Sequence, residues 1–230
     1  MCGRIALYSD TPHFAQLLEA GIDPDLIDGL RPRWNVGPMS RILGVREAPE
    51  GDRTLRAYRW GLVPIRAKDP AAIKSTFNAR AETVASKPMF RSAFKRGRAL
   101  LPVDAFYEWK TIGKVKQPYL FRRADDDPIV FAGLTEYWRG QDDTEIHSAT
   151  IITTEAGPDM DGIHNRMPVV LEREAWEHWL DPDLTDRDEL ESMLHPAPEG
   201  TLAHYPVSRD VGNIRNDGPE LLEETVEATP

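Results

Sequence analysis

The sequence predicts a single β-rich α+β domain, and three observations predict it. Segments with period-two alternation and a high content of β-branched and aromatic residues recur along the chain, separated by Gly, Pro, Asn and Asp turns. Helical spacing occurs only in short stretches, too few to build a helical core. The 230 residues are 40% hydrophobic, enough to bury one core. Many antiparallel strands with a few helices laid against them make an α+β domain. Its expected extent is residues 1–222, followed by an acidic, disordered tail over 223–230.

The elements follow in order. Asp10-Thr11-Pro12 is a helix start, a capping carboxylate followed by proline in the first turn. Phe14, Leu17 and Leu18 form its apolar stripe, and Gly21 ends it. A short helical turn is expected before Pro32. Trp34-Asn35-Val36-Gly37-Pro38 leads into a strand near Arg41–Arg46, Pro49-Glu50-Gly51-Asp52 turns it, and a return strand runs from about Leu55 to Val63. Asn78 and Arg80 fall in a loop before a helix, and Pro88–Lys95 is a short basic helix closed by Gly97. Ala99–Lys110 is one strand with a kink at Pro102. Gly113 turns it back into Tyr119–Arg123. Ile129–Arg139 and Glu145–Thr154 are two further strands, Val169–Leu171 and Tyr205–Val207 two short ones. Helices are expected near Arg173–Leu180 and Thr185–Leu194.

Composition narrows the function. No apolar run approaches the ~18 residues of a membrane span, and Arg4, Ser9 and Asp10 break any leader-like stretch. No membrane association is therefore expected. Cys2 is the sole cysteine, which excludes an internal disulfide and a cysteine-based zinc site. The histidines lack metal-ligand spacing, so neither metal nor cofactor is expected. A reducing, cytoplasmic setting follows. The net charge is -10, yet residues 66–123 carry 14 Lys or Arg against 4 Asp or Glu, and all seven lysines lie between Lys68 and Lys116. A concentrated positive segment in an acidic chain is either a polyanion footprint or a patch paired internally.

Several residues can carry chemistry. Cys2 follows Met1 directly. Removal of Met1 would leave an α-amine, with a reference pKa of ~7.7–8.0, beside a thiol at ~8.5. An amine condenses with an aldehyde to an imine, and a neighbouring thiol can close onto the imine carbon as a thiazolidine. Glu108, in Phe106-Tyr107-Glu108-Trp109-Lys110, shares a strand face with Phe106 and Lys110, while Tyr107 and Trp109 share the other. A carboxylate among aromatics suits proton transfer. His164 lies in a loop entering a strand and can move protons near neutrality. Asn78 can bond a substrate oxygen, and Arg80 can hold a phosphate. Trp34, Trp60, Phe77 and Tyr107 are either base-stacking or core aromatics.

Six motifs occur in register: Met1-Cys2-Gly3-Arg4, Trp60-Gly61-Leu62-Val63-Pro64, Asn78-Ala79-Arg80-Ala81-Glu82, Phe106-Tyr107-Glu108-Trp109, His164-x-Arg166-Met167-Pro168, and Pro206-Val207-Ser208 with Val211-Gly212-Asn213 and Asn216. This order resembles the SRAP family, the SOS-response-associated peptidase-like proteins that process abasic sites in DNA. The resemblance runs from Cys2 to about Leu221. It implies a β-rich pseudo-barrel with flanking helices. It also implies that Cys2, freed of Met1, captures the ring-opened aldehyde of an abasic site in single-stranded DNA as a thiazolidine crosslink that shields the lesion. Asn78 would orient the deoxyribose, Glu108 act as acid or base, and His164 assist the Schiff-base step. Arg4, Arg66, Arg80, Trp34 and Trp60 would contact DNA. Arg66 stands where family members often carry a wedging tryptophan, and Trp34 replaces a common tyrosine. A peptidase activity, most simply self-removal of Met1, is also implied, as are a monomer and nucleoid association during DNA damage. The alternatives are a cysteine peptidase acting on other proteins through Cys2, Glu108 and His164, and a non-covalent single-strand binding module.

Overall fold

The computed structural model describes residues 2–26, 31–48, 50–73 and 76–229. Met1, whose removal is expected, and Pro49 of the expected hairpin turn lie outside the described residues. The chain runs β1 (Ile5–Leu7), α1 (Thr11–Leu17), β2 (Gly21–Ile22), β3 (Arg33–Val36), β4 (Arg41–Glu47), β5 (Arg53–Trp60), β6 (Asn78–Arg80), α2 (Ala81–Val84) and α3 (Arg91–Arg96). It continues through β7 (Arg98–Val103), β8 (Ala105–Ile112), β9 (Val115–Arg123), β10 (Ile129–Arg139), β11 (Glu145–Glu155), β12 (Arg166–Pro168), α4 (Arg173–Leu180), α5 (Arg187–Ser192) and β13 (Leu202–Pro206). The β-rich α+β class is what the sequence predicts.

The strands form two sheets. One has five strands in the order β13-β9-β8-β1-β3, the other eight, with the path β12-β11-β10-β7-β4-β5-β2 and β6 beside β11. β5 also pairs in parallel with β11, through Ser148↔Arg59 and Ala149↔Trp60. The circuit β11-β10-β7-β4-β5 therefore closes on itself as a barrel, which leaves those strands without a free edge. Both faces of this closed sheet are covered: Trp60 and Ile151 lie on one and Leu55 and Leu134 on the other, all fully buried. Alternation along β8 sends Phe106 to this main core, stacked on Phe121 with centroids 4.9 Å apart. Tyr107 goes the other way, into a smaller cluster with Leu120, Val207, Val211 and Leu221.

Sequence and structure part at the expected strand Ala99–Lys110. It is two strands, and the break falls at Asp104, not Pro102. Pro102 stays in register opposite Val130. The half-turn that carries the chain from one sheet to the other is fixed by the buried Asp104 carboxylate. It accepts the Tyr8 N–H at 2.6 Å, the Ser9 N–H at 2.9 Å and the Ser9 hydroxyl. The expected strand Val169–Leu171 is displaced to Arg166–Pro168, with Val170 retaining one bridge to Phe131. Asn78–Arg80 is a strand rather than a loop, parallel to β11 with Asn78 opposite Ile151.

The acidic tail is laid on the five-stranded sheet. Val207 and Glu224 form an antiparallel bridge, and Glu227 reaches Lys110 at 2.9 Å. An acidic composition predicts disorder, but the docking rests on polar bonds and backbone pairing rather than on apolar burial. Among the described residues no helix is long and apolar enough to cross a membrane, and no group of three or more His, Cys, Asp or Glu could hold a metal ion.

Candidate active site

Cys2 enters the core just before β1 and is fully buried. Three elements bring their side chains to it. β6 presents Asn78, whose Nδ2 donates to the Cys2 carbonyl at 2.7 Å. β8 presents Glu108, only 3% exposed, on the face away from Tyr107. The loop before β12 presents His164, with Nε2 at 4.0 Å from Glu108 Oε2. The structure thus gathers Cys2, Asn78, Glu108 and His164, four residues spread over 162 positions of sequence.

The local electrostatics follow from burial. Burial pushes the Cys2 thiol far up, and the Glu108 carboxylate adds to the rise, against the opposing pull of the Arg4 backbone N–H. The thiol is therefore held neutral beside a carboxylate that can take its proton. His164 Nδ1 lies 3.0 Å from Arg166 N and 3.1 Å from Arg166 O, so the ring either accepts the N–H, with its proton on Nε2 toward Glu108, or donates from Nδ1 to the carbonyl. Asn78 Oδ1 is buried with no hydrogen-bond partner among the described residues. A buried acceptor left open beside the thiol is an unmet demand for a donor.

A tie between two motifs was not visible in either one alone. Glu82 takes the Arg166 guanidinium through both carboxylate oxygens, and Arg166 Nη2 also donates to Thr153 O at 2.6 Å. The Arg166 bond holds the Glu82 carboxyl below its ordinary range. This pair fixes the loop whose backbone orients His164. The opposite charges of Glu82 and Arg166 in separate motifs were the available signal.

The expected DNA-contacting residues fall in different places. Arg80 and Arg66 are exposed, and among the described residues no carboxylate lies within ion-pair range of either. Arg66 joins Arg91, Lys95 and Arg96 around a cleft of about 620 Å³ that also contains Glu136. Trp60 needs correction as a stacking residue. It is fully buried, its indole donating to Phe77 O at 2.9 Å and its ring set edge-on to Phe77. A side chain filling the barrel has no face to offer a base. Trp34 is half-buried in the smaller cluster, on the side of the five-stranded sheet away from Glu108. Arg4 is largely used inside the protein, donating at 2.6 Å both to Asn35 Oδ1 and to Val211 O. Arg98, in the basic helical region, is buried and caps carbonyls of Phe94, Trp179 and Leu184.

Asn35 explains why the last motif lies beside the first. Its Nδ2 donates to the carbonyls of Val211, Asn213 and Asn216 while its Oδ1 accepts from Arg4. One buried amide therefore ties residues 211–216 to the segment that carries Cys2.

Against known proteins, the model of the SOS response associated peptidase (SRAP) family matches residues 1–214. The chain belongs to the SRAP family. A Bacillus subtilis relative, the abasic site processing protein YoqW, is 39% identical over 226 residues, covering 97% of this chain and 99% of its own. The Escherichia coli abasic site processing protein YedK is 34% identical, again covering 97% of this chain and 99% of its own. A crystal structure of a Bacteroides thetaiotaomicron protein superposes with a TM-score of 0.89 at 24% identity, covering 98% of this chain and 100% of that one, and so shares its fold. The SRAP match covers every residue gathered around Cys2.

Proposed function

We propose that this protein processes abasic sites in single-stranded DNA by covalent capture at Cys2 once Met1 has been removed. The observation that carries the reading is the convergence of the Cys2 backbone and thiol with Asn78, Glu108 and His164 in a family whose relatives are named abasic site processing proteins. The freed α-amine adds to the C1′ aldehyde of the ring-opened sugar and expels water, giving an imine. The Cys2 sulfur then bonds to the imine carbon, the thiol proton is taken up by Glu108, and the former imine nitrogen gains a proton. A five-membered ring results, with atoms and charge balanced. Asn78 holds the Cys2 carbonyl and offers its open Oδ1 to the sugar. His164 Nε2 faces Glu108 and, when it carries the proton, serves the water-expelling step. Glu108, returned to the acid form, protonates the leaving sulfur on reversal.

Met1 removal by the same groups is the simplest form of peptidase activity, and it precedes capture.

Intact mass of the purified protein, before and after exposure to an abasic single-stranded oligonucleotide, tests the proposal. The expected result is loss of the Met1 mass, then gain of the oligonucleotide less one water, surviving denaturant. Cys2→Ala should abolish the adduct. A Cys2→Ala protein that forms the full adduct, or a Met1-retaining protein that captures equally well, would overturn it.

A further inference from the structure

The end of the chain places an anion next to the proposed catalytic group. The bridge between Val207 and Glu224, the 2.8 Å bond from Thr225 N–H to Pro206 O and the 3.2 Å bond from Ala228 N–H to Gln117 Oε1 lead residues 224–228 along β13 and β9. Glu227 then falls on the face of β8 and β9 that carries Glu108. Its Oε1 accepts from Lys110 Nζ at 2.9 Å and from the Tyr119 hydroxyl. Lys110 is two residues beyond Glu108 on the same strand face, ~7 Å along it. Tyr119 is the cross-strand partner of Glu108 itself. The Lys110 ammonium also lies 5.8 Å from the centre of the Tyr119 ring, so the cation is held from below as well.

We propose that Lys110 Nζ and the Tyr119 hydroxyl form a phosphate subsite for the strand that reaches Cys2, and that Glu227 fills this subsite as an internal anion until the strand displaces it. The inference rests on the reading of the chain as a single-strand-binding protein. A phosphodiester oxygen makes the same demand as the carboxylate now present: one positive charge and a hydroxyl donor in fixed positions. The location makes the subsite useful. A phosphate arriving near Glu108 meets a like charge that is nearly sealed from solvent, and Lys110 is the neighbouring cation on that strand face. The occupant is displaceable. Lys110 and Glu227 side chains are 35% and 42% exposed, and ion pairs this exposed hold loosely and weaken with salt. Glu227 therefore screens the subsite against weak or transient anions and yields to a polyanion anchored elsewhere.

The test is equilibrium binding of an unmodified fluorescent single-stranded oligonucleotide to the full chain in a Cys2→Ala background, at low salt, with melting temperatures recorded alongside. Glu227→Gln should tighten binding about two- to fivefold. Lys110→Gln should weaken it, and the double variant should match Lys110→Gln alone, because Glu227 acts only through that subsite. Tyr119→Phe supplies a second route if Lys110→Gln lowers the melting temperature, and should shrink the Glu227→Gln gain. Glu223→Gln removes an equal charge from an undocked position and should change nothing. Unchanged or weaker binding by Glu227→Gln, or a gain that persists without Lys110, would overturn the proposal. If the parent protein binds no strand and forms no adduct, the functional reading has failed; if it does both and Glu227→Gln is inert, only the subsite has failed.

Discussion

At the scale of single residues, the chemistry depends on a thiol that is stable where it lies only while neutral. An unfolded chain ionises its cysteine near the ordinary value of ~8.5, whereas in the fold burial and then Glu108 push that ionisation higher. For an acid whose folded value is raised, the contribution to stability is complete below the unfolded value and is lost as pH rises from there toward the folded one. The slope is about 1.4 kcal/mol per pH unit for one group. Denaturant unfolding at pH 8 and pH 10 should therefore show the parent protein losing about 2 kcal/mol more than Cys2→Ala. The buried tyrosines titrate in both and cancel. Equal losses in the two proteins would show that the thiol is not held neutral. The residues around this thiol were legible because their side chains carry distinctive chemistry in distinctive motifs. Trp60 was not, since a motif reports that a tryptophan is needed without saying whether the barrel or a ligand needs it. Only the pairing of β5 with β11, set by residues some 90 positions apart, decides that it points inward.

At the scale of elements, the site depends on how the barrel closes. β5 must end where β11 passes, and the end is made by Gly61 at φ +140°, its N–H donating to Ala149 O at 2.8 Å. A Cβ there would meet nothing nearer than the Met39 sulfur at 3.5 Å, so the requirement for glycine is conformational rather than steric. Gly61→Ala should cost about 1–3 kcal/mol through backbone strain alone, seen as a lower denaturation midpoint with an unchanged m-value. A neutral substitution would mean that the closure tolerates an ordinary backbone. The helices and long strands were legible from periodicity, and Arg173–Leu180 has the expected bounds. The break at Asp104 was not. Its cause is a set of donors on Tyr8 and Ser9, nearly 100 residues away, and local alternation continues through the corner. The tail was misread for a related reason: its partners, Lys110, Gln117 and Tyr119, lie on strands that composition cannot associate with it.

At the scale of the whole molecule, a chain with net charge -10 must bind a polyanion through one restricted region or not at all. The structure sorts the basic segment into two groups. Arg98 and Arg123 are committed to carbonyls or carboxylates of the fold. Arg66, Arg80, Arg91 and Lys95 are exposed with no carboxylate in ion-pair range among the described residues. The second group can exchange counterions for phosphates, and the first cannot without breaking the fold. Non-covalent affinity for single-stranded DNA, measured with Cys2→Ala, should therefore fall linearly with the logarithm of salt concentration, with about 0.7 of slope for each phosphate neutralised. Arg80→Ala should lower that slope by about 0.7. Arg139→Ala should leave it unchanged, because Arg139 is already bound to Asp143 at 2.6 Å, outside the basic segment. Equal slopes for all three proteins would mean that the strand follows a path that avoids Arg80, and would separate the exposed cations of the basic segment from the site at Cys2. The crosslinked product should show no such dependence, since a covalent bond once formed does not draw on released counterions.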